Sequence, residues 1–377
     1  MRRMTIYIHQ KENWTDFFWD EKKVSAILGE ARNKQGRLLG KMESLGFELQ
    51  NEAILNTLTL DITKSSEIEG ELLEHNQVRS SIARRLGIEV AGLVNSDRYV
   101  DGIVEMMLDV TQKFNFPLTK ERLFGWHAAL FPYGRSNLSK ITVADWRTDK
   151  TGPMQVVSGP MGKEKVHFQA PDSSRIEGEM EKFLRWFENK EQIDLVLKAA
   201  VAHLWFVTIH PFDDGNGRIT RAITDMTLAR SDKSVRRFYS MSAQIRLERK
   251  QYYEKLEKAQ KGDSDITDWI LWFLKCLTNA IESSEKTLSK ILYKAEFWKL
   301  HSTTILNKRQ LKIINRLLDG FDGKLTSSKW AKINKCSQDT ALRDIQDLIG
   351  KGILQKDASG GRSTNYLLIK LDSPSMK

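Results

Sequence analysis

Residues 210–221 read HPFDDGNGRITR, which puts a histidine, two carboxylates, a Gly-Asn-Gly turn and two arginines within one short stretch. His210 is the group here suited to general-base work near neutral pH. Pro211 disfavours helix at His210 and holds the histidine at the mouth of a turn. Gly215 and Gly217 allow close backbone approach and unusual dihedral angles. A glycine turn that opens a helix points free N–H groups and a positive dipole end at an anion. Arg218 and Arg221, on the first turn of that helix, can clasp further phosphate oxygens. Asp214 would repel a phosphate unless a cation intervened, and Mg²⁺ binds through one or two carboxylates plus substrate phosphates. Asp214 is therefore expected to hold Mg²⁺. The set amounts to a nucleotide polyphosphate, Mg²⁺ and a base that activates an incoming hydroxyl, which is the equipment of phosphoryl or nucleotidyl transfer. The absence of GxxxxGK[ST] and of a kinase signature set disfavours those ATP-handling classes.

These residues need rigid supports. The run 192–209, IDLVLKAAVAHLWFVTI up to His210, is the most apolar of the chain and predicts a buried central helix. RITRAITDMTLAR predicts a helix with Ile219, Ala222, Ile223, Met226 and Leu228 inward. Upstream, apolar spacing predicts helices over 20–44, 51–69 and 93–114, with another starting after Thr119. Gly70 closes the second of these as a C-cap glycine, and Ser65 and Glu69 share one of its faces. His127 reads as a packed or hydrogen-bonded core residue. Residues 131–170 lose the helical period. There, Met154–Val157 and Lys165–Phe168 flank SGPMGKE, a hairpin signal that competes with a plain connecting loop. Such a hairpin would need the helical body behind it and would offer an edge to an extended peptide. Tyr252 and Tyr253 are candidates for adenine or target contacts, against ordinary core packing. Asp265–Leu277 and 281–300 read as two successive helices.

Only seven prolines and long amphipathic runs argue for a mainly α protein. The length predicts two or three domains: 1–50 as an N-terminal helical extension, 51–300 as the core, and 307–371 as a separate module. The two cysteines, Cys276 and Cys336, lack zinc or redox spacing, which suits a reducing compartment. No signal-peptide core and no 18-residue apolar run occurs, so a cytoplasmic protein without a membrane association is expected. Net charge is +10, and residues 307–377 hold 14 Lys and Arg against 7 Asp and Glu.

HPFDDGNGRITR resembles the signature of Fic domain proteins, HPFx[D/E]GNGRxxR, at every specified position. The resemblance covers about residues 55–290. It implies a Fic-type helical core with a β-hairpin flap and transfer of AMP from ATP to a Ser, Thr or Tyr hydroxyl of a target protein, or of the chain itself. It implies that His210 deprotonates the hydroxyl, Asp214 holds Mg²⁺ and Phe212 anchors the loop. Gly215, Asn216 and Gly217 would bind phosphates, with Arg218 and Arg221 on the outer ones. Gly217 sets the chain apart from the kinase-like variant that has Lys there. Met154, Gln155, Val156, Val157, Val166 and His167 would belong to the flap that clamps the target segment. SSEIEG at 65–70 is similar to the Fic inhibitory motif [S/T]xxxE[G/N], on a helix at about 59–70. That implies Glu69, with Ser65, pairing with Arg221 and preventing productive γ-phosphate binding. Residues 1–50 resemble the helical extension of a subset of bacterial Fic proteins.

The module at 307–371 reads as helix, helix-turn-helix and hairpin, a C-terminal winged helix-turn-helix domain. Its third helix is expected to present Gln338, Thr340, Ala341, Arg343 and Asp344, and its wing Lys356, Arg362 and Asn365. Either Ser327 or Ser328 is expected to cap its second helix. The local basic excess favours DNA. Acidic residues on the third helix count against tight phosphate binding and leave protein contacts, including a homodimer, open. Two functions therefore stand: a protein adenylyltransferase, or a DNA-binding transcriptional regulator whose Fic core is a sensor.

Overall fold

The computed structural model describes residues 6–136, 139–150, 152–160, 162–189, 193–321, 323–357 and 364–369. The chain divides into two compact units, Met1–Glu285 and Lys286–Lys377. The first is mainly helical. A 3-10 turn at Ile8–Gln10 precedes α1 (Glu21–Glu43), α2 (Phe47–Ile68), α3 (His75–Leu86), α4 (Arg98–Gln112) and α5 (Lys120–Leu130). Two antiparallel hairpins follow, β1–β2 (Arg135–Ser136, Ser139–Lys140) and β3–β4 (Gln155–Ser158, Lys165–Gln169). Then come α6 (Ile176–Glu188), α7 (Leu195–Ile209), α8 (Asn216–Asp232), α9 (Met241–Leu247), α10 (Arg249–Gln260) and α11 (Thr267–Leu300), whose residues from Lys286 onward belong to the second unit. The stretch read as two helices, Asp265–Leu277 and 281–300, is one continuous helix, because no Gly or Pro interrupts 267–300.

Every residue of α7 from Val196 to Ile209 is buried, and α7 packs along α8. This is what places the 210–221 loop: it is the link between the two best-buried helices. Side-chain caps start the surrounding helices where the sequence provides them, with Asp97 accepting from Val100 N, Thr119 from Arg122 N and Asp194 from Val196 N. α2 lies against α8 and α9. The 1–50 region docks through aromatics: Trp14 and Phe17 meet Trp205 edge-on at 6.1 and 5.9 Å. Residues 6–10 form no strand. Instead Tyr7 packs on Phe168 of β4, and His9 Nε2 lies 2.8 Å from the Gln169 carbonyl.

A buried ionic cluster joins α1, α2 and α8. Arg237 donates to Asp225 at 2.9 Å and Asp232 at 3.0 Å, with all three side chains almost fully buried. Gln35 of α1 and Tyr239 also donate to Asp232. Asp61 of α2 accepts from Ser240 Oγ and the Ser242 N–H. Burial and the neighbouring Asp61 push the Asp225 pKa up.

The second unit holds α12 (Lys308–Gly320), α13 (Ser327–Asn334), α14 (Gln338–Gly350) and an antiparallel pair, β5 (Leu354–Lys356) and β6 (Tyr366–Leu368). Its core gathers Ile313, Ile314, Trp330, Ile345, Leu348 and Ile353. Thr326, not Ser327 or Ser328, caps α13, its hydroxyl accepting from Lys329 N. Ala341, Asp344 and Asn365 are buried rather than presented. Ala341 joins the core, Asp344 pairs with Arg309 at 2.6 Å, and Asn365 accepts from Leu325 N at 2.9 Å. Gln338 and Arg343 are exposed on α14, Thr340 is half-buried, and Arg362 lies outside the described residues. Among the described residues, no helix is long and apolar enough to cross a membrane.

Because Arg237 is the cation between two buried carboxylates, removing it leaves uncompensated charge. Arg237→Ala is expected to destabilise the first unit by about 3–5 kcal/mol, read as an earlier urea transition in tryptophan fluorescence.

Candidate active site

His210 is the C-cap of α7 and adopts a left-handed conformation, φ 53° and ψ 59°. That turn releases its side chain from the helix. Its Nδ1 lies 3.1 Å from the Val207 carbonyl. A carbonyl only accepts, so Nδ1 carries the proton and Nε2 keeps its lone pair. Burial lowers the His210 pKa, outweighing the opposing bond to Val207, so the imidazole is neutral at neutral pH. A base with a fixed tautomer results.

The loop is held from below. Phe212 is fully buried and stacks on His127, ring centroids 4.2 Å apart. His127 is also fully buried; its Nδ1 accepts from Ala144 N and its Nε2 faces the Asp214 carbonyl, each at 3.2 Å. Burial drives its pKa down to about 4, so it supports the loop as a neutral ring. Asn216 is committed in both directions: its Oδ1 accepts from Phe212 N at 3.0 Å, and its Nδ2 donates to Phe212 O at 2.8 Å. The side chain expected on phosphate thus braces the loop. Asp214 is half-buried and accepts from the Ser136 hydroxyl and from Gly215 N. The adjacent Asp213 accepts from Thr142 N at 2.8 Å.

Two glycines have steric reasons. Gly215, at φ +80°, opens α8, and a Cβ there would stand 2.8 Å from the Phe131 ring. At Gly217 a Cβ would stand 2.1 Å from Glu69 Oε1. Glu69 ends α2 and puts that Oε1 2.8 Å from Arg221 Nη2. Ser65 completes the cradle, its hydroxyl accepting from Arg221 Nε at 2.8 Å and its carbonyl from Nη2 at 2.9 Å. Arg221 is only 2% exposed. The structure thus gathers Ser65, Glu69, Gly217 and Arg221 at one point.

The hairpin pairs Gln155 with Gln169, Val156 with Phe168, Val157 with Val166 and Ser158 with Lys165, with a register shift after Val156. Met154 and Val156 pack with Tyr7 and Phe168, whereas Val157 and Val166 are exposed. His167 is tied to Glu257 at 2.8 Å and Ser158 at 2.6 Å. Tyr252 is buried with its hydroxyl 3.1 Å from His203 Nε2, the packing alternative, while Tyr253 is more open and lies under Arg249.

Three functional neighbours escaped the sequence reading. Arg147 is buried; its Nε donates to the His210 carbonyl at 2.8 Å, its backbone N to Pro211 O at 2.9 Å, and its Nη2 to Pro171 O. It sits in an irregular stretch where no period marks it. Glu71 and Tyr99 both reach Arg218, at 2.6 and 2.7 Å. A glutamate right after a helix-ending glycine was the available signal for the first.

With this geometry in view, comparison with known proteins is informative. Residues 117–228 match the Fic/DOC family, and residues 7–88 match a domain described as of unknown function, DUF4172. The second match takes in α1, α2 and α3. A protein adenylyltransferase Fic of Drosophila grimshawi is 25% identical over 243 residues, covering 62% of this chain and 42% of the relative. Its counterpart in Drosophila mojavensis is 33% identical over 116 residues, covering 30% of this chain and 20% of the relative. The chain thus spans well under half the length of the curated relatives it matches. A Fic family protein from Desulfovibrio desulfuricans has a similar fold, with TM-score 0.53 and 20% identity over 92% of this chain and 95% of that one. The chain is thus mainly helical, has a fold similar to that structure, and matches the Fic/DOC family over residues 117–228.

Arg147→Ala removes three side-chain bonds from buried carbonyls and a carboxylate. It is expected to cost about 2–4 kcal/mol and to speed amide exchange selectively at 210–216, measured by hydrogen–deuterium exchange with mass spectrometry.

Proposed function

We propose that the chain is a protein adenylyltransferase that transfers AMP from Mg-ATP to a hydroxyl of a target protein, and that Glu69 restrains it. The observation that carries this reading is the fixed tautomer of His210: Nδ1 bound to Val207 O, Nε2 free, at the mouth of a glycine-opened helix with two buried arginines. In the reaction, Nε2 takes the proton of the acceptor hydroxyl as its oxygen attacks the α-phosphorus. The bond from that phosphorus to the bridging oxygen breaks, and pyrophosphate leaves. The N–H groups opening α8, with Arg218 and Arg221, stabilise the phosphate charge. The names of the Drosophila relatives support the same reaction class.

Asp214 suits a divalent ion that arrives with phosphates. It is a single half-buried carboxylate whose contacts include one replaceable hydroxyl, Ser136, and Mg²⁺ with nucleotides takes one or two protein carboxylates. When bound, the ion would neutralise phosphate charge. The exposed Val157 and Val166 make the hairpin the docking element for an extended target segment, by strand addition.

Arg221 is the phosphate ligand that Glu69 occupies. Arg221 is almost fully buried while the Glu69 side chain is 31% exposed, so removing the carboxylate strands a buried charge, which suits a lock rather than a weak brake. The restrained form is the one described here, with Ser65 and Glu69 both on Arg221.

A second reading concerns the Lys286–Lys377 unit. Three helices followed by an antiparallel pair make a winged-helix arrangement. Two acids that counted against DNA are neutralised, Asp344 by Arg309 and Asp347 by Lys351, and the Gln310 amide also donates to Asp347. Gln338, Thr340 and Arg343 of α14, with Arg362, are the proposed contacts.

Two outcomes are expected. With labelled ATP, Glu69→Gly raises self- or target labelling by roughly tenfold or more, the size expected when one buried phosphate ligand is released, and His210→Ala abolishes it. Unchanged turnover in Glu69→Gly would sink the lock. In gel-shift assays across salt concentrations, DNA affinity falls steeply with log salt, and Arg343→Ala flattens the slope by about one; binding without sequence preference would leave the module to protein contacts.

A further inference from the structure

The chain just past Glu69 carries a second carboxylate onto the motif. α2 ends in a Schellman cap: Gly70, at φ +87°, donates to Glu67 O at 3.1 Å, and Glu71 N donates to Ser66 O at 3.0 Å. This cap turns the backbone by a fixed amount and so fixes where residue 71 points. The Glu71 carboxylate accepts from Arg218 Nη1 at 2.6 Å and from the Tyr99 hydroxyl. Tyr99, on α4, also accepts from Arg218 Nη1 at 2.7 Å. Arg218 is 2% exposed and lies over the Phe131 ring, with its Nε unpartnered among the described residues. Both motif arginines are therefore occupied by carboxylates from one helix end, two residues apart.

Resting on the adenylyltransferase reading, we infer that Glu71, steadied by Tyr99, is a second phosphate gate: it holds Arg218 as Glu69 holds Arg221, so the outer phosphates of ATP must displace two carboxylates. Glu69 reaches over Gly217 to Arg221, and Glu71 reaches Arg218 from beyond the cap. The two carboxylates are about equally open, 31% for Glu69 and 29% for Glu71, so an entering nucleotide can displace either. Releasing Glu69 alone leaves Arg218 neutralised, and the site then works with one of its two cations. Glu71 acts through Arg218 and is a positioning residue, so its substitution moves nucleotide affinity rather than the chemical step.

The test compares wild type, Glu69→Gly, Glu71→Gln, Glu69→Gly with Glu71→Gln, and Glu69→Gly with Glu71→Asp, in the full chain. Calorimetry measures Mg-ATP and AMP binding, and labelled ATP gives KM and kcat. In the Glu69→Gly background, Glu71→Gln is expected to tighten Mg-ATP roughly tenfold, the worth of one charge-assisted contact. KM should fall alongside, while kcat and AMP affinity stay unchanged. Glu71→Asp, which keeps the charge, should restore the Glu69→Gly values. The Gln side chain keeps the shape, and matched melting curves check the fold. Weaker or unchanged Mg-ATP binding in the double variant overturns the gate, as does equal tightening of AMP. Failure of the adenylyltransferase reading looks different: no AMP transfer by Glu69→Gly, whatever the affinities.

Discussion

A guanidinium with almost no access to water must have an anion beside it, and the first unit is arranged around that constraint at Arg221. In the form described here the anion is Glu69, 2.8 Å away, and the C-terminal end of α2 is where it is because of that contact. Ser65, one turn earlier on the same helix, accepts from Nε and Nη2, while Nη1 has no partner among the described residues. Arg221 in turn sits on α8, which is held to α7, the most deeply buried helix. The charge, the helix that answers it and the helix that carries it form one unit, and removing the Glu69 carboxylate leaves a buried guanidinium without its anion, which costs several kcal/mol.

The base is organised on a different principle. His210 needs no ion partner, only a direction. α7 ends in a left-handed residue, the following proline prevents helical continuation, and Arg147 pins the carbonyls of both. Phe212, His127 and Asn216 then lock the turn that follows. The result separates two kinds of group: a neutral, rigidly held imidazole on one side of the loop, and arginines paired with the end of α2 on the other.

Much of this was legible from the chain. HPFDDGNGRITR marked the junction of two helices with a turn, a histidine and two arginines, because those residue types are unusual for a helical junction. The hairpin was legible from its glycines and alternation, and α2 with Ser65 and Glu69 from helical spacing. What was not legible depended on long-range partners. Arg147 lies in irregular chain, and nothing local tells that its guanidinium reaches back to residue 210. Tyr99 looked like one apolar position of α4 among several. Asn216 was misjudged because an amide beside a phosphate loop can face either way, and only the packed loop decides. In the second unit, Ala341, Asp344 and Asn365 followed the right elements on the wrong faces, since a short helix read without its neighbours has no fixed rotation. The continuity of α11 was hidden because a change in surface charge looks like a boundary when no helix breaker is present to contradict it.

The space above Gly217 is shared property. A Cβ there would overlap the Glu69 carboxylate, standing 2.1 Å from Oε1. In any descendant of this packing, a side chain at that position and a carboxylate reaching over it exclude one another. The two positions, about 150 residues apart in sequence, are bound to change together: a lineage that fills the first must first give up, or redirect, the second. Drift at the glycine is thereby closed off for as long as the glutamate is kept, and it reopens only through an intermediate in which the Glu69–Arg221 contact is already gone.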